Sequence, residues 1–374
     1  MKIDENNLSR LETDYGGYLK GEAVDAFFED FDIKFSAGHW CAGDFYDRFA
    51  TEGYNSNDPD FSSDILSQIR RVKQAGIKGI EMQSHLFVDD RFNTDHDTVK
   101  NVKAELERQG MVPTNMALNL FSDPKWKLGS LTNPDRSRRE DAVAAALQGV
   151  ETARDLGCTS VTLWPGSDGW DYNFQADHEG LLERFIEGCC SINEGAVRSG
   201  LRFGVEAKLH EPREGNMILP TSHMSILVAN EVNERCGGSN MGLIIDYGHE
   251  QMYGVNPGFT LCAAKVFGVP LVNFHINTAK LHSNDEDRVA GTGDNWRLAE
   301  FCYAAIKTGY SGWFSEDQFT YRMDPVKAMA LSKELFSNVM KKALLIYKNR
   351  SVLEDAQATG DAGRTIDAVK EILM

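Results

Sequence analysis

Eight short apolar stretches, rich in β-branched and aromatic residues, recur along this 374-residue chain, and segments with helical periodicity fill the gaps between them. The stretches are IKFSAGHW (33–40), IKGIEMQ (77–83), VPTNMALNL (112–120), SVTLWPG (160–166), RFGVEA (202–207), MGLIID (241–246), LVNFHIN (271–277) and GWFSED (312–317). In 62–75 the apolar residues Ile65, Leu66, Ile69 and Val72 return at three- and four-residue steps, one face of a helix. Segments 97–109, 134–156, 177–199, 222–236, 258–268, 296–308 and 325–348 repeat the pattern, and Gly76, Gly110, Gly157, Gly200, Gly237, Gly268 and Gly309 stand as stop signals. Strand and helix alternating in this way predict a parallel sheet with right-handed crossovers. Eight repeats are the number that closes a (β/α)8 barrel. An open doubly wound sheet is the competing architecture, but no GxGxxG turn follows the first strand and no GxxxxGK[ST] occurs. The organisation expected is an N-terminal extension with one helix (1–30), a barrel catalytic domain (31–348) and a short tail (349–374) with a last helix near 363–373.

Composition narrows the partners. Asp+Glu number 56 against 39 Lys+Arg, a net charge of −17. Such a surplus argues against a nucleic-acid backbone or an anionic membrane as partner. No run of 18 apolar residues exists to span a bilayer. The first residues, MKIDENNLSRLETDYGG, lack the apolar core of a secretion signal. Seven cysteines, an odd number without a CxxC pair, argue against a disulfide framework and for a reducing cytoplasm.

A barrel of this kind carries its site at the C-terminal ends of its strands. Strand one ends at Trp40; strand two runs to Gln83, with His85 just beyond; strand three ends in Asn119, Leu120 and Phe121; strand four ends at Trp164. Strand five brings Glu206 and Lys208, and strand six Asp246 with His249 following. Strand seven carries His275 and Asn277 ahead of a loop with Asp285 and Asp287, and strand eight ends at Glu316 and Asp317. One acidic residue at a strand end is ordinarily a helix cap, and HSNDEDR alone reads as a solvated charge run. Carboxylates gathered on one rim repel one another, and a divalent cation relieves that repulsion. Oxygen-rich sites with an imidazole suit Mg2+, Mn2+ or Co2+.

These residues sit in stretches that resemble the xylose isomerases, metal-dependent aldose–ketose isomerases on a (β/α)8 barrel. The resemblance covers roughly 33–345 and rests on EAKLHEPREGNMILPT (206–221), DYGHEQMYGVN (246–256), FHIN (274–277) with NDEDRVAGTGD (284–294), NLFSDPKW (119–126) and LWPGSDGWD (163–171). It implies Glu206 and Asp317 around a first metal, Asp246 where the family has a glutamate bridging both metals, and Asn277 where it has an aspartate ligand. It implies His249, Asp285 and Asp287 around a second, catalytic one. It also implies Lys208 at the sugar's C1 oxygen, His85 as the ring-opening residue, and Trp40, Trp164 and Phe121 as pocket walls with His249 facing the sugar. The expected activity is hydrogen transfer between C1 and C2 of an open-chain sugar in a homodimer or homotetramer. Three positions depart from the family: Asn277 replaces an aspartate, Asp246 is one methylene shorter than the usual glutamate, and an ungapped match puts Gln83 rather than His85 at the ring-opening position. Two alternatives stay open. One is a single-metal ketose 3-epimerase, with Glu206 and Glu316 or a neighbour as the acid/base pair. The other is a sugar-binding barrel without chemistry.

Overall fold

The computed structural model describes residues 1–89, 93–211 and 215–374; Asp90, downstream of His85, and the middle of the 206–221 stretch fall outside it. Eight parallel strands close into a barrel: β1 (Lys34–Gly38), β2 (Gly79–Gln83), β3 (Val112–Ala117), β4 (Ser160–Leu163), β5 (Arg202–Glu206), β6 (Met241–Asp246), β7 (Leu271–Ile276) and β8 (Trp313–Glu316). They run in sequential order around the ring, β8 pairing with both β7 and β1. This is the (β/α)8 barrel that the eightfold alternation predicts.

The helices begin and end where the local chemistry dictates. Two lie ahead of the barrel, α1 (Glu5–Asp14) and α2 (Glu22–Asp30), where the sequence suggests one. Between them, Tyr15 packs edge-on against Phe27. The crossovers are α3 (Ile65–Gln74), α4 (His96–Gln109), α5 (Arg136–Leu156), α6 (His178–Arg198) and α7 (Ser222–Arg235). There follow α8 (Tyr247–Tyr253), α9 (Pro257–Val266), α10 (Asn295–Thr308) and α11 (Pro325–Lys348). The tail folds as α12 (Arg350–Gln357) and α13 (Ala362–Leu373). Asp135 caps α5 by accepting the Ser137 amide, and Gly157 at φ 90° ends it in a left-handed turn that other residues resist. Among the described residues no helix is long and apolar enough to cross a membrane.

Register decides what meets at the rim. Asp246 pairs with His275 across β6 and β7, and His275 with Ser315 across β7 and β8. Side chains alternate along a strand, so Ser315 shares His275's inward face and Glu316 turns outward. Phe314, on Glu316's face, packs against Phe336 of α11. Glu316 is wholly buried with both carboxylate oxygens unpartnered, and that burial pushes its pKa well above the usual carboxylate value. It stands outside the pocket, and Asp317 is the acid that enters it.

Candidate metal centre and sugar pocket

A cavity of about 570 Å3 opens at the C-terminal end of the barrel. Trp40, Gln83, Phe121 and Trp164 line the β1–β4 half, and Glu206, Lys208, His249, His275, Asp285, Asp287 and Asp317 the β5–β8 half. Phe121 meets Trp164 edge to face at 4.6 Å. Trp40, Trp164 and Phe121 thus lie together on one side of the cavity.

Glu206, Asp246, His275 and Asp317 each offer a ligand atom, and the four atoms lie within 4.8 Å of one another. Among the described residues this is the one group of at least three such side chains that converges. His275 Nδ1 sits 3.2 Å from Asp317 Oδ2, 3.3 Å from Glu206 Oε2 and 3.9 Å from Asp246 Oδ2, aligned for a hydrogen bond with none of them. An imidazole nitrogen facing two buried carboxylates and a third, partly buried one is a donor set suited to a divalent cation. The remaining atoms are tied down: Trp40 Nε1 donates to Asp317 Oδ1 at 2.7 Å, and the His249 amide donates to Asp246 Oδ1 at 2.8 Å. Asp246 thus caps α8 while presenting its other oxygen to the cluster.

The electrostatics show how tightly these charges are balanced. Burial, together with Asp285, Glu206 and Asp317, outweighs His249 and raises Asp246 to about 7. Burial also works against an ionised Glu206, yet His275 and His249 hold it at about 2. Burial would lower the two imidazoles, but Glu206 and Glu81 around His275, and Asp246 and Asp285 around His249, raise both well above the ordinary histidine value.

The second expected ligand set is arranged differently. Asp285 Oδ2 lies 2.9 Å from Lys208 Nζ and 3.0 Å from His249 Nε2. Lys208 also reaches Glu211 Oε2 at 2.7 Å and lies over the Trp164 ring, 5.1 Å from its centroid. Asp287 accepts from Asn277 Nδ2 at 3.1 Å, and the same amide donates to Asp246 Oδ2 at 3.0 Å. His249, Asp285 and Asp287 therefore share the pocket, but Asp285 is paired by an ammonium and by His249, and Asp287 by an amide.

Two expectations need correction. Asn277 turns its Nδ2 toward Asp246 and Asp287, and His275, two residues earlier, is the strand-seven side chain whose nitrogen converges with Glu206, Asp246 and Asp317. The neutral Asn277 amide bonds neighbouring carboxylates instead, packed so closely that a Cβ on Gly248 would lie 2.5 Å from its Oδ1. His85 does not line this cavity. The turn of 3-10 helix Ser84–Phe87 carries its ring aside into a neighbouring cavity of about 790 Å3, 3.0 Å from Asn119 Nδ2. Gln83, accepting from the same Asn119 amide at 2.9 Å, is the residue of this pair that lines the first cavity. The sequence reading passed over Glu81, His210, Glu211, Asn284 and Tyr321, which also line the cavity. Glu81 leaves one signal: a charge inside an otherwise apolar strand needs a partner.

Solved structures share this architecture. A 3-keto-D-glucoside 4-epimerase from E. coli superposes with a TM-score of 0.58 at 16% identity, over 81% of this chain and 98% of that one. A D-psicose 3-epimerase from Clostridium cellulolyticum H10, determined with D-tagatose, gives 0.57 at 16% identity over 85% and 99%. An L-ribulose 3-epimerase gives 0.60 at 15% identity over 88% and 99%. At these identities the likeness is one of fold. The sequence itself goes further: residues 69–339 match the xylose isomerase-like TIM barrel family, and the chain belongs to it.

Proposed function

We propose that this protein is a divalent-metal-dependent sugar isomerase of the epimerising kind, acting on a ketose at the carbon beside its carbonyl. The observation that carries this reading is the four-atom cluster of Glu206, Asp246, His275 and Asp317 at the end of a sugar-sized pocket. Those four side chains would hold Mn2+, Mg2+ or Co2+. Such an ion supplies Lewis acidity toward the sugar's carbonyl and hydroxyl oxygens.

The chain's own residues do the rest. Glu206 and Asp317 come from β5 and β8, the two ends of the ligand-bearing arc, and serve as the proton-transfer pair. One group, as the carboxylate, accepts the proton from C3, and the other, carrying its own proton as a carboxylic acid, delivers it to the opposite face, so that the pair ends with its protonation exchanged. Asp317 is held for this by the Trp40 indole N–H. Lys208, fixed between Asp285 and Glu211, donates to a sugar oxygen and stabilises negative charge developing there. Trp40, Trp164 and Phe121 exclude water from the reacting carbons. The similar structures support the assignment by their names: in each, the carbon inverted adjoins a carbonyl.

A second reading, aldose–ketose isomerisation between C1 and C2, is favoured by Lys208 and by Asp285 and Asp287 lining the same cavity. The test is to strip the protein with chelator, restore Mn2+, and offer D-fructose and D-xylose in D2O. Deuterium at C3 of the recovered fructose and its C3 epimer supports epimerisation. Conversion of xylose to its ketose without C3 exchange moves the assignment to the isomerase. Absence of both reactions across a panel of ketoses and aldoses overturns the catalytic reading.

A further inference from the structure

Glu81 is fully buried and lies on β2, outside the arc of strands that carries the metal ligands. Barrel interiors are normally filled by branched apolar side chains. A carboxylate there is costly unless it is paired and hydrogen-bonded. Its Oε1 accepts from Asn115 Nδ2 at 2.7 Å; its Oε2 accepts from Asn273 Nδ2 at 2.9 Å and lies 3.2 Å from His275 Nε2. Both oxygens are thus engaged by the protein. Asn115 is itself held, accepting from Ser160 Oγ at 2.8 Å, so the carboxylate has little freedom to swing toward a sugar.

From this geometry we infer that Glu81 is a positioning residue for His275: it accepts the Nε2–H and so fixes the tautomer and ring angle that aim the Nδ1 lone pair at Glu206, Asp246 and Asp317. The inference rests on the metal reading above. An imidazole has one lone pair to give, and whichever nitrogen carries the proton cannot ligate. Histidine ligands ordinarily have their second N–H held by such an outer partner, whose loss lowers metal affinity by about 10–100-fold. Asn273 provides an internal comparison. It donates to the same Oε2 but, among the described residues, makes no hydrogen bond to the ligand cluster, so a purely structural role for the buried network would make it equivalent to Glu81.

The experiment measures Mn2+ affinity by calorimetry on chelator-stripped wild type, E81Q, E81L and N273A, with the melting temperature of each metal-free protein alongside. We expect affinity to fall about tenfold in E81Q and about 100-fold in E81L, and to stay within about threefold of wild type in N273A. The Co2+ absorption spectrum should change in the Glu81 variants and remain unchanged in N273A. Wild-type affinity in a folded E81L, or an equal loss in N273A, overturns the inference. Should the Glu81 variants fail to fold, the wild type still decides. A long-range 15N–1H correlation on 15N-histidine protein loaded with Zn2+ should show His275 protonated at Nε2 alone, and protonation at Nδ1 overturns the assignment. A wild type that binds no Mn2+ overturns the metal reading itself, which separates that failure from a failure of Glu81 alone.

Discussion

Asp246 caps a helix with one oxygen and turns the other toward the acidic cluster. Its Oδ1 caps α8 through the His249 amide while its Oδ2 faces His275 and Asn277. Asp246→Asn keeps a capping oxygen and removes the charge. Because burial and neighbouring carboxylates already press against its ionised form, the metal-free variant should melt at or above the wild-type temperature. Its Mn2+ affinity should fall by more than the roughly 10–100-fold typical of outer-shell changes. Calorimetry and thermal melts on one preparation check both halves. A pH dependence follows from the same cluster. His275 and His249 keep their protons well above the ordinary histidine value, and Asp246 is raised to about 7. A cation binds the deprotonated forms, so binding releases protons and affinity rises with pH. The rise should be about tenfold per pH unit for each proton released and continue above pH 7. Titrations at several pH values, in buffers of different ionisation enthalpy, count the protons directly; a flat profile contradicts the cluster as ligand set. Glu206, Asp246 and Asp317 were legible because each ends a recognisable strand. His275 was visible on its strand, but its role was hidden by Asn277 two positions on. Both face inward, and only the β6–β7 register shows which one meets Asp246.

Between the elements, the loops above β3 and β4 depend on one buried acid. Asp168 accepts the Ser130 and Thr132 amides at 2.8 and 2.9 Å and both their hydroxyls at 2.6 Å. It thereby ties the segment following Phe121 to the one following Trp164, the two residues that wall the pocket. Asp168→Ala leaves several buried donors unsatisfied and should cost about 2–4 kcal/mol. A denaturant melt measures the loss, and KM should rise more than kcat falls because the wall, not the carboxylate cluster, is loosened. At this scale the sequence was readable wherever a period could repeat. All eight strands and the eight long helical segments appear within a few residues of their expected limits, since amphipathic spacing over ten or more residues leaves little ambiguity. Short elements escaped. Tyr247–Tyr253 is seven residues, opened by the very Asp that serves the cluster. The antiparallel pair Gly169–Trp170 with Asn216–Met217 is too brief for any alternation to register. The N-terminal region holds two helices rather than one, parted around Gly16 and Gly17.

Across the whole barrel, charge is segregated: β1–β4 supply indole, phenyl and amide groups to the pocket, while β5–β8 supply its carboxylates, imidazoles and ammonium, with Glu81 the exception on β2. That segregation bears on how many cations the molecule holds. Among the described residues the His275 side of the acidic arc has no lysine or arginine in an ion pair, whereas Asp285 on the other side has Lys208 at 2.9 Å. Two unit charges about 4 Å apart in a partly buried site interact by about 4 kcal/mol at an effective dielectric of 20, so a fixed ammonium strongly disfavours a divalent ion beside it. Wild type should therefore take up one equivalent of Mn2+ tightly. At roughly 100 times its dissociation constant, that equivalent should stabilise the fold by about 2.7 kcal/mol through linkage. Lys208→Gln removes the ammonium and leaves Asp285 and Asp287 without it. A second, weaker equivalent should then appear, together with a larger thermal shift at high Mn2+. Stoichiometry by calorimetry and metal analysis after gel filtration gives the answer for both proteins. Two tight equivalents in the wild type would mean that Lys208 yields its place, that His249, Asp285 and Asp287 ligate as in a two-metal isomerase, and that Asn277 serves through its carbonyl. One equivalent in the wild type and two in the variant would identify the lysine as the group that fixes this barrel as a single-metal enzyme.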